Sequence, residues 1–316
     1  MAGRGQKDPD RSTTKEMDMT GKFDAQQEVT DRIIAAIEAG TPPWRKPWTG
    51  DRGGAAFPLR ACGEPYRGIN VILLWLEADA KGYASPHWFT YRQAQELGAQ
   101  VRKGEKSAPV IKFGTFDTDK AEPASEDAAT RKVMFTKLYH VFNADQIDAL
   151  PESYYRRPEP ARDLGTEPDA ELEAFFAATG AVVETSNDPR AYYNPVTDRI
   201  HMPPVGTFES ADAYYATLAH EATHWTGHGG RLDRIKKFAD RKAYAFEELV
   251  AELGNVILCT HLGLTPDFEQ SGAYVESWLK ALKEDKRAIF RAAAEGQKAA
   301  DLLLALAGED EKEAAA

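Results

Sequence analysis

The chemistry of this chain is concentrated in Leu218-Ala219-His220-Glu221-Ala222-Thr223-His224-Trp225, a His-Glu-x-x-His pattern. On a helix, residues four apart stand one above the other on the same face, so His220 and His224 can each turn a nitrogen toward one metal ion. Glu221 projects beside them, placed to take a proton from a water whose pKa the ion lowers from about 15.7 to about 7. The pattern is that of a zinc-dependent hydrolase holding one divalent metal, Zn2+ in preference to Mn2+.

A further ligand must come from elsewhere. Ala243 to Gly254 reads as a second helix carrying Glu247, Glu248 and Glu252. Glu248 and Glu252 lie one turn apart, so one can ligate while the other accepts the distal N–H of a ligating histidine and fixes its ring. Glu248 is assigned as the ligand and Glu252 as that partner, and a one-turn shift of the helix would exchange them. Glu247 reads as a solvated carboxylate. Gly227 and Gly229-Gly230 end the first helix, so His228 belongs to the site wall or the turn rather than to the ligand set. Tyr192, Tyr193 or Tyr244 could stabilise an oxyanion, and spacing does not choose among them.

Several elements must hold these groups in place. Ser210 is an N-cap for the motif helix, with Asp212 in its first turn, and Tyr214, Leu218, Ala222 and Trp225 recur at helical spacing. Ahead of it, Ala191 to Pro203 reads as two strands around an Asn-Pro-x-Thr-Asp turn, with His201 near the cleft. Ile200 to Pro203 occupies the place of the strand that, in zincin-type metallopeptidases, pairs with an extended substrate. Asp169 to Thr179 reads as a helix and Gly180 to Glu184 as a strand. Val275 to Phe290 reads as one long amphipathic helix, followed by a final helix over Lys298 to Ala307.

With 316 residues, 42% of them apolar, the chain can build about two domains with real cores. No apolar run is long enough to span a membrane, and residues 1–21 lack the apolar core of a signal peptide, so a cytoplasmic protein with no membrane partner is expected. Cys62 and Cys259 are read as free thiols, which excludes a cysteine ligand set. A net charge of -11 confines any nucleic-acid contact to a local basic region.

Such a region lies in the first half. Helices are expected over Phe23 to Ala39, Tyr66 to Ala80 and Thr90 to Leu97; Val101 to Phe113 reads as a turn rich in Lys and Arg leading into a strand, joined by a flexible hairpin loop to a second strand over Lys132 to Phe142. From Trp44 to Lys112 there are eleven Lys or Arg against six Asp or Glu. Aromatics interleave with these cations, which suits a single-strand groove where bases stack and phosphates meet charge. The residues named for it are Trp44, Arg45, Lys46, Trp48, Tyr66, Arg67, Trp88, Arg92, Arg102 and Lys103. The Pro43-to-Trp48 strap reads equally as a brace whose tryptophans pack on the core.

Together, Pro43-Trp-Arg-Lys-Pro-Trp48, Tyr66-Arg-Gly-Ile-Asn70, Thr90-Tyr-Arg-Gln-Ala94, Val101-Arg-Lys-Gly-Glu105, Val141-Phe-Asn-Ala-Asp-Gln146, His220-Glu-Ala-Thr-His-Trp-Thr-Gly-His228, Arg231-Leu232 and Glu247-Glu-Leu-Val-Ala-Glu252 resemble the ArdC-type antirestriction proteins of conjugative plasmids. The resemblance runs from Phe23 to Leu304. It implies an α+β chain: a small single-stranded-DNA-binding domain over 22–150, a linker over 151–168 and a zincin-like metallopeptidase domain over 169–307, between a disordered leader (1–21) and an acidic tail (308–316). It also implies protection of incoming plasmid DNA from host restriction, with single-stranded DNA, and a restriction enzyme or other protein substrate, as partners. Two other readings compete: a DNA-dependent protease similar to the Spartan type, and a pure DNA-binding protein with a structural metal.

Overall fold

The computed structural model describes residues 24–40, 56–117, 132–157, 163–235, 241–266 and 275–308. The leader, the Pro43-to-Trp48 strap, residues 118–131 of the hairpin loop and residues 309–316 of the tail lie outside them. Helix α1 (Ala25–Glu38) starts where the Asp24 carboxylate accepts the N–H groups of Gln26 and Gln27, and it buries Val29, Ile33 and Ile37 at helical spacing. There follow β1 (Leu59–Arg60), α2 (Ile69–Lys81), β2 (His87–Phe89), α3 (Tyr91–Glu96), β3 (Gln100–Val101), β4 (Ala108–Asp117), β5 (Lys132–Asn143) and β6 (Ile147–Asp148). Four of these strands form a sheet in the order β1-β2-β5-β4, and β3 pairs with β6. Asn70, in the first turn of α2, exchanges two 2.8 Å hydrogen bonds with the backbone of Ile111, which satisfies the outer edge of β4.

The second half contains α4 (Ala170–Ala178), β7 (Val182–Thr185), β8 (Tyr192–Asn194), β9 (Arg199–Met202), α5 (Ala211–Thr226), α6 (Arg241–Leu262), α7 (Val275–Glu284) and α8 (Ala288–Ala307). Its sheet runs β7-β9-β8, so β9 is paired on both sides. The strand expected to receive substrate is therefore the central one, and the edge beside α5 belongs to β8. The single long helix expected over 275–290 is two helices. Its break lies at Asp285, whose carboxylate accepts the Arg287 N–H at 2.8 Å.

Helix α6 runs eight residues past Gly254, where the sequence pattern suggested its end. A Cβ on Gly254 would lie 2.5 Å from Thr223 Cγ2 of α5, and one on Gly296 would lie 2.8 Å from the Gly254 nitrogen. The two glycines thus let α6 and α8 meet backbone to backbone and seat the Thr223 side chain of α5 against α6, which brings the carboxylates of α6 to the histidines of α5. Gly254→Ala is expected to cost about 1–3 kcal/mol by overpacking this crossing. Thermal unfolding would read that loss as a lower midpoint, and an unchanged midpoint would show that the crossing can open without penalty.

Two of the three hydrophobic clusters among the described residues hold the second half together and to the first. One, under the site, joins Phe176, Ile200, Met202 and Tyr215 to Leu218, Ile257 and Leu303. The other takes Val29, Ile33, Ile72, Leu74 and Val141 from the first half and Leu249, Leu253, Val256, Trp278 and Ile289 from the second. Polar contacts follow the same seam: the Gly68 N–H donates to Gln297 Oε1 at 3.0 Å, and the Thr30 hydroxyl donates to the Lys286 carbonyl at 2.8 Å. No described helix is long and apolar enough to cross a membrane.

Candidate metal centre

Ser210 caps α5 by accepting the Ala213 N–H at 3.2 Å, and Tyr214, Leu218, Ala222 and Trp225 face the core. That phase turns His220, Glu221 and His224 toward α6 and β8. His220 Nε2 stands 3.7 Å from Glu248 Oε2, and His224 Nε2 stands 3.6 Å from Glu248 Oε1. Both separations exceed a good hydrogen bond. They are close to the roughly 3.3 Å expected between two donors sharing a tetrahedral ion with bonds of about 2.0–2.1 Å. One donor atom from each of His220, His224 and Glu248 lies within 4.8 Å of the others, so the fold gathers the three residues assigned from sequence as ligands.

Electrostatics also suits a cation. Glu221, Glu247 and Glu248 are all buried, and among the described residues only Glu247 has an arginine against it, receiving Arg234 Nη2 at 2.9 Å on Oε1 and Arg234 Nε at 3.2 Å on Oε2. Buried carboxylates are stable only when paired or ligating. Burial disfavours the His224 imidazolium, but the Glu247 and Glu248 carboxylates outweigh it and push the pKa of His224 well up. Burial likewise opposes ionisation of Glu248, and the His220 and His224 rings facing it reverse this and hold its carboxyl well below the usual range. A cation can take the place of that proton, so the donor set fits a divalent metal.

The carboxylate beside the distal nitrogen of His224 is Glu247, with Oε1 at 3.4 Å from Nδ1. Sequence reasoning gave Glu252 the role of orienting one of the two histidines and left Glu247 in solvent, whereas Glu247 is 9% exposed and is the carboxylate against His224 Nδ1. Glu252 is buried a turn further along α6. The missed signal was Arg234, a cation in the turn after α5 that can reach a buried acid.

Glu221 Oε2 accepts the backbone N–H of Tyr193 at 2.7 Å, which ties the carboxylate to the outer edge of β8. The Tyr193 hydroxyl is already committed, donating to Asp198 Oδ1 at 2.8 Å, and Asp198 is in turn paired with Arg231, which lies 3.8 Å above the Trp225 ring. Burial and that bond to Asp198 push the Tyr193 pKa up, so its side chain braces the strand and does not offer a free donor. Tyr192 stacks on His201, whose nitrogens meet Ser186 and the Arg190 carbonyl. Tyr244, half exposed, sits one turn before Glu248 on α6. His228 accepts the Gly230 N–H and orders the turn.

The DNA-binding candidates are scattered. Trp44, Arg45, Lys46 and Trp48 lie outside the described residues. Trp88 is 2% exposed and Tyr66 is also buried in the core, so neither ring can stack on a base, a correction that reflects non-local packing. Arg67 pairs with Asp301, Arg92 with Glu96, and Arg102 with Glu105 and Asp148. Lys103 is exposed beside a shallow groove of about 550 Å3, where Tyr91 and Phe142 offer rings but Glu105 and Asp148 cancel much of the positive charge. Sequence reasoning missed a cross-strand pair of exposed lysines, Lys112 opposite Lys137, which have no ion pair among the described residues.

Comparison with known proteins places this geometry in a family. Residues 170–295 match the zincin-like metallopeptidase family, and residues 23–142 match the N-terminal domain of the anti-restriction factor ArdC. The chain is 40% identical over 288 residues to the uncharacterized protein y4eC of Sinorhizobium fredii (strain NBRC 101917 / NGR234), covering 88% of this chain and 91% of that protein. It is 42% identical over 294 residues to a DNA primase TraC of Escherichia coli, covering 88% of this chain but only 27% of the primase, so the chain spans about a quarter of that relative. Metal-free antirestriction ArdC protein from plasmid R388 is 63% identical with a TM-score of 0.82, covering 91% of this chain and 99% of that one. Its Mn(II)-bound structure superposes with a TM-score of 0.79, covering 90% and 98%. With relatives matched over nearly their whole length in both sequence and fold, the chain belongs to the ArdC family of antirestriction proteins.

Proposed function

We propose that this protein is an antirestriction factor of a mobile element, with a single-stranded-DNA-binding surface in its first half and a one-cation metallopeptidase site in its second. The observation that carries the second part is the convergence of His220, His224 and Glu248 on one point, with Glu221 held beside them. The Mn(II)-bound state of R388 ArdC supports a divalent cation there.

Bound at this triad, a divalent cation supplies Lewis acidity, acidifying a water and polarising a carbonyl. The protein does the rest. His220, His224 and Glu248 hold the ion, and the Tyr193 N–H pins Glu221 Oε2. Glu221 Oε1, which has no hydrogen-bond partner among the described residues, accepts the proton of the attacking water and passes it to the leaving amine. A peptide lying beside β8, whose Tyr193 N–H is held by Glu221, brings its scissile carbonyl to that carboxylate.

For DNA, the reading rests on the matched N-terminal domain and on unpaired cations: Lys103, Lys106, Lys112 and Lys137 are exposed and make no ion pair among the described residues. Lys112 and Lys137 are opposite each other in the β4–β5 register, with the Lys137 ammonium 5.0 Å from the Tyr139 ring centroid, and like charges so placed favour an anion beside them. Lys112→Glu/Lys137→Glu is expected to weaken binding of an oligothymidylate and to flatten the slope of log K against log salt by about 0.7 for each phosphate that is no longer neutralised. The same variant should lose protection of transferred DNA in a restricting recipient. Wild-type affinity and slope would remove these lysines from the interface.

A further inference from the structure

We infer that Arg234 is a positioning residue for the cation site: through Glu247 it fixes the His224 ring so that Nε2, rather than Nδ1, faces Glu248. This rests on the reading of His220, His224 and Glu248 as a cation site. The Arg234 side chain is only 6% exposed, and its fork takes both Glu247 oxygens, at 2.9 and 3.2 Å. Glu247 Oε1 is the atom it shares with His224 Nδ1. A carboxylate whose two oxygens both take the fork of an arginine is held in one orientation, and toward a ring nitrogen it accepts. It therefore requires the proton on Nδ1 and leaves the Nε2 lone pair for the ion.

The arginine is itself tied to the end of the motif helix. Its Nη2 donates to the Thr223 carbonyl at 2.8 Å and its Nη1 to the Thr226 hydroxyl at 3.0 Å, the latter two residues beyond His224. Its own N–H and that of Ile235 both donate to the Gly227 carbonyl, at 2.9 and 2.8 Å. Gly227 has the space for this because it lacks a side chain: a Cβ there would lie 3.1 Å from Arg234 Nη2 and 2.9 Å from Ile235 Cγ1. One side chain thus references the histidine-bearing helix, the carboxylate of α6 and the turn between them to each other. A lysine could supply the charge but not the fork.

The test is Zn(II) affinity of the full chain, by competition with a chromogenic chelator, together with the imidazole N–H resonances of the Zn(II)-loaded protein. Arg234→Gln and Glu247→Gln are each expected to weaken Zn(II) binding about 10–100-fold, and Arg234→Gln to add nothing once Glu247 is Gln. Arg234→Lys should fall between Arg234→Gln and wild type. In wild type one Nδ1–H resonance should be shifted far downfield and protected from exchange, and Arg234→Gln should move it upfield. Because a lone buried charge can unfold a variant, Arg234→Met/Glu247→Leu removes both partners together and should keep the fold while losing the affinity. Wild-type affinity in Arg234→Gln, additive losses, or an unmoved resonance would overturn the role of Arg234. Absence of Zn(II) binding by wild type, or binding that survives His220→Ala, would instead overturn the cation site and the inference with it.

Discussion

Glu221→Gln is expected to leave Zn(II) affinity and the unfolding midpoint at wild-type values and to lower peptide hydrolysis by about 10²–10⁴-fold, the usual contribution of a positioned general base. The substitution is close to isosteric. The Gln side-chain oxygen can still accept the Tyr193 N–H that Glu221 Oε2 accepts at 2.7 Å, so β8 and α5 stay joined. What is lost is the basicity of the free oxygen. The decisive measurement pairs a proteolysis assay with protection of DNA transferred into a restricting recipient. If hydrolysis and protection fall together while Zn(II) stays bound, peptide cleavage is the mechanism of antirestriction. If protection persists, the protein acts by binding, and the cation has a structural role. Hydrolysis that appears only with single-stranded DNA present would mark a protease directed at DNA-bound proteins.

Residues 163–308 expressed alone are expected to show no cooperative unfolding transition and to aggregate. The reason is the shared core. Without the first half, Leu249, Val250, Leu253 and Val256 on α6, Trp278 and Leu282 on α7 and Ile289 on α8 are stripped of the side chains that bury them. Each large apolar side chain returned to water costs about 1.5–3 kcal/mol. Four or five of them match the whole stability of an ordinary domain, about 5–15 kcal/mol. The loss falls on the metal centre because α6 carries Glu247 and Glu248 on one side and this apolar row on another. Calorimetry and circular dichroism on the fragment and the full chain would decide it. A cooperative transition and full-chain Zn(II) affinity in the fragment would show that α6 to α8 stand without the first half.

Much of the site was legible locally. Two histidines four apart on a helix face the same way whatever surrounds them, and the cap at Ser210, the apolar row of α5 and the glycines after Thr226 are all local signals. The same holds for the existence of a second helix rich in carboxylates. The choice among its carboxylates was not local. Glu247 and Glu248 differ by a fraction of a turn and Glu252 lies one turn further on, so the residue that meets the ion and the one that meets His224 Nδ1 are set by how α6 is rotated and shifted against α5. That rotation comes from Gly254 meeting Thr223 and Gly296, and from Arg234 reaching back to Glu247, pairings between residues distant in sequence.

The same division explains the other differences. Period and turn residues indicate that strands flank Asn194 to Asp198, but only pairing with β7 makes β9 central and leaves β8 at the edge. An indole among basic residues looks the same in sequence whether it is exposed or, like Trp88, packed beneath a sheet. Sequence by itself determined the donor chemistry, the helix that presents it and the family. Tertiary structure decided which groups are buried, which edge is open and which carboxylate orients His224, because burial and rotation depend on surfaces that meet only after the chain has folded.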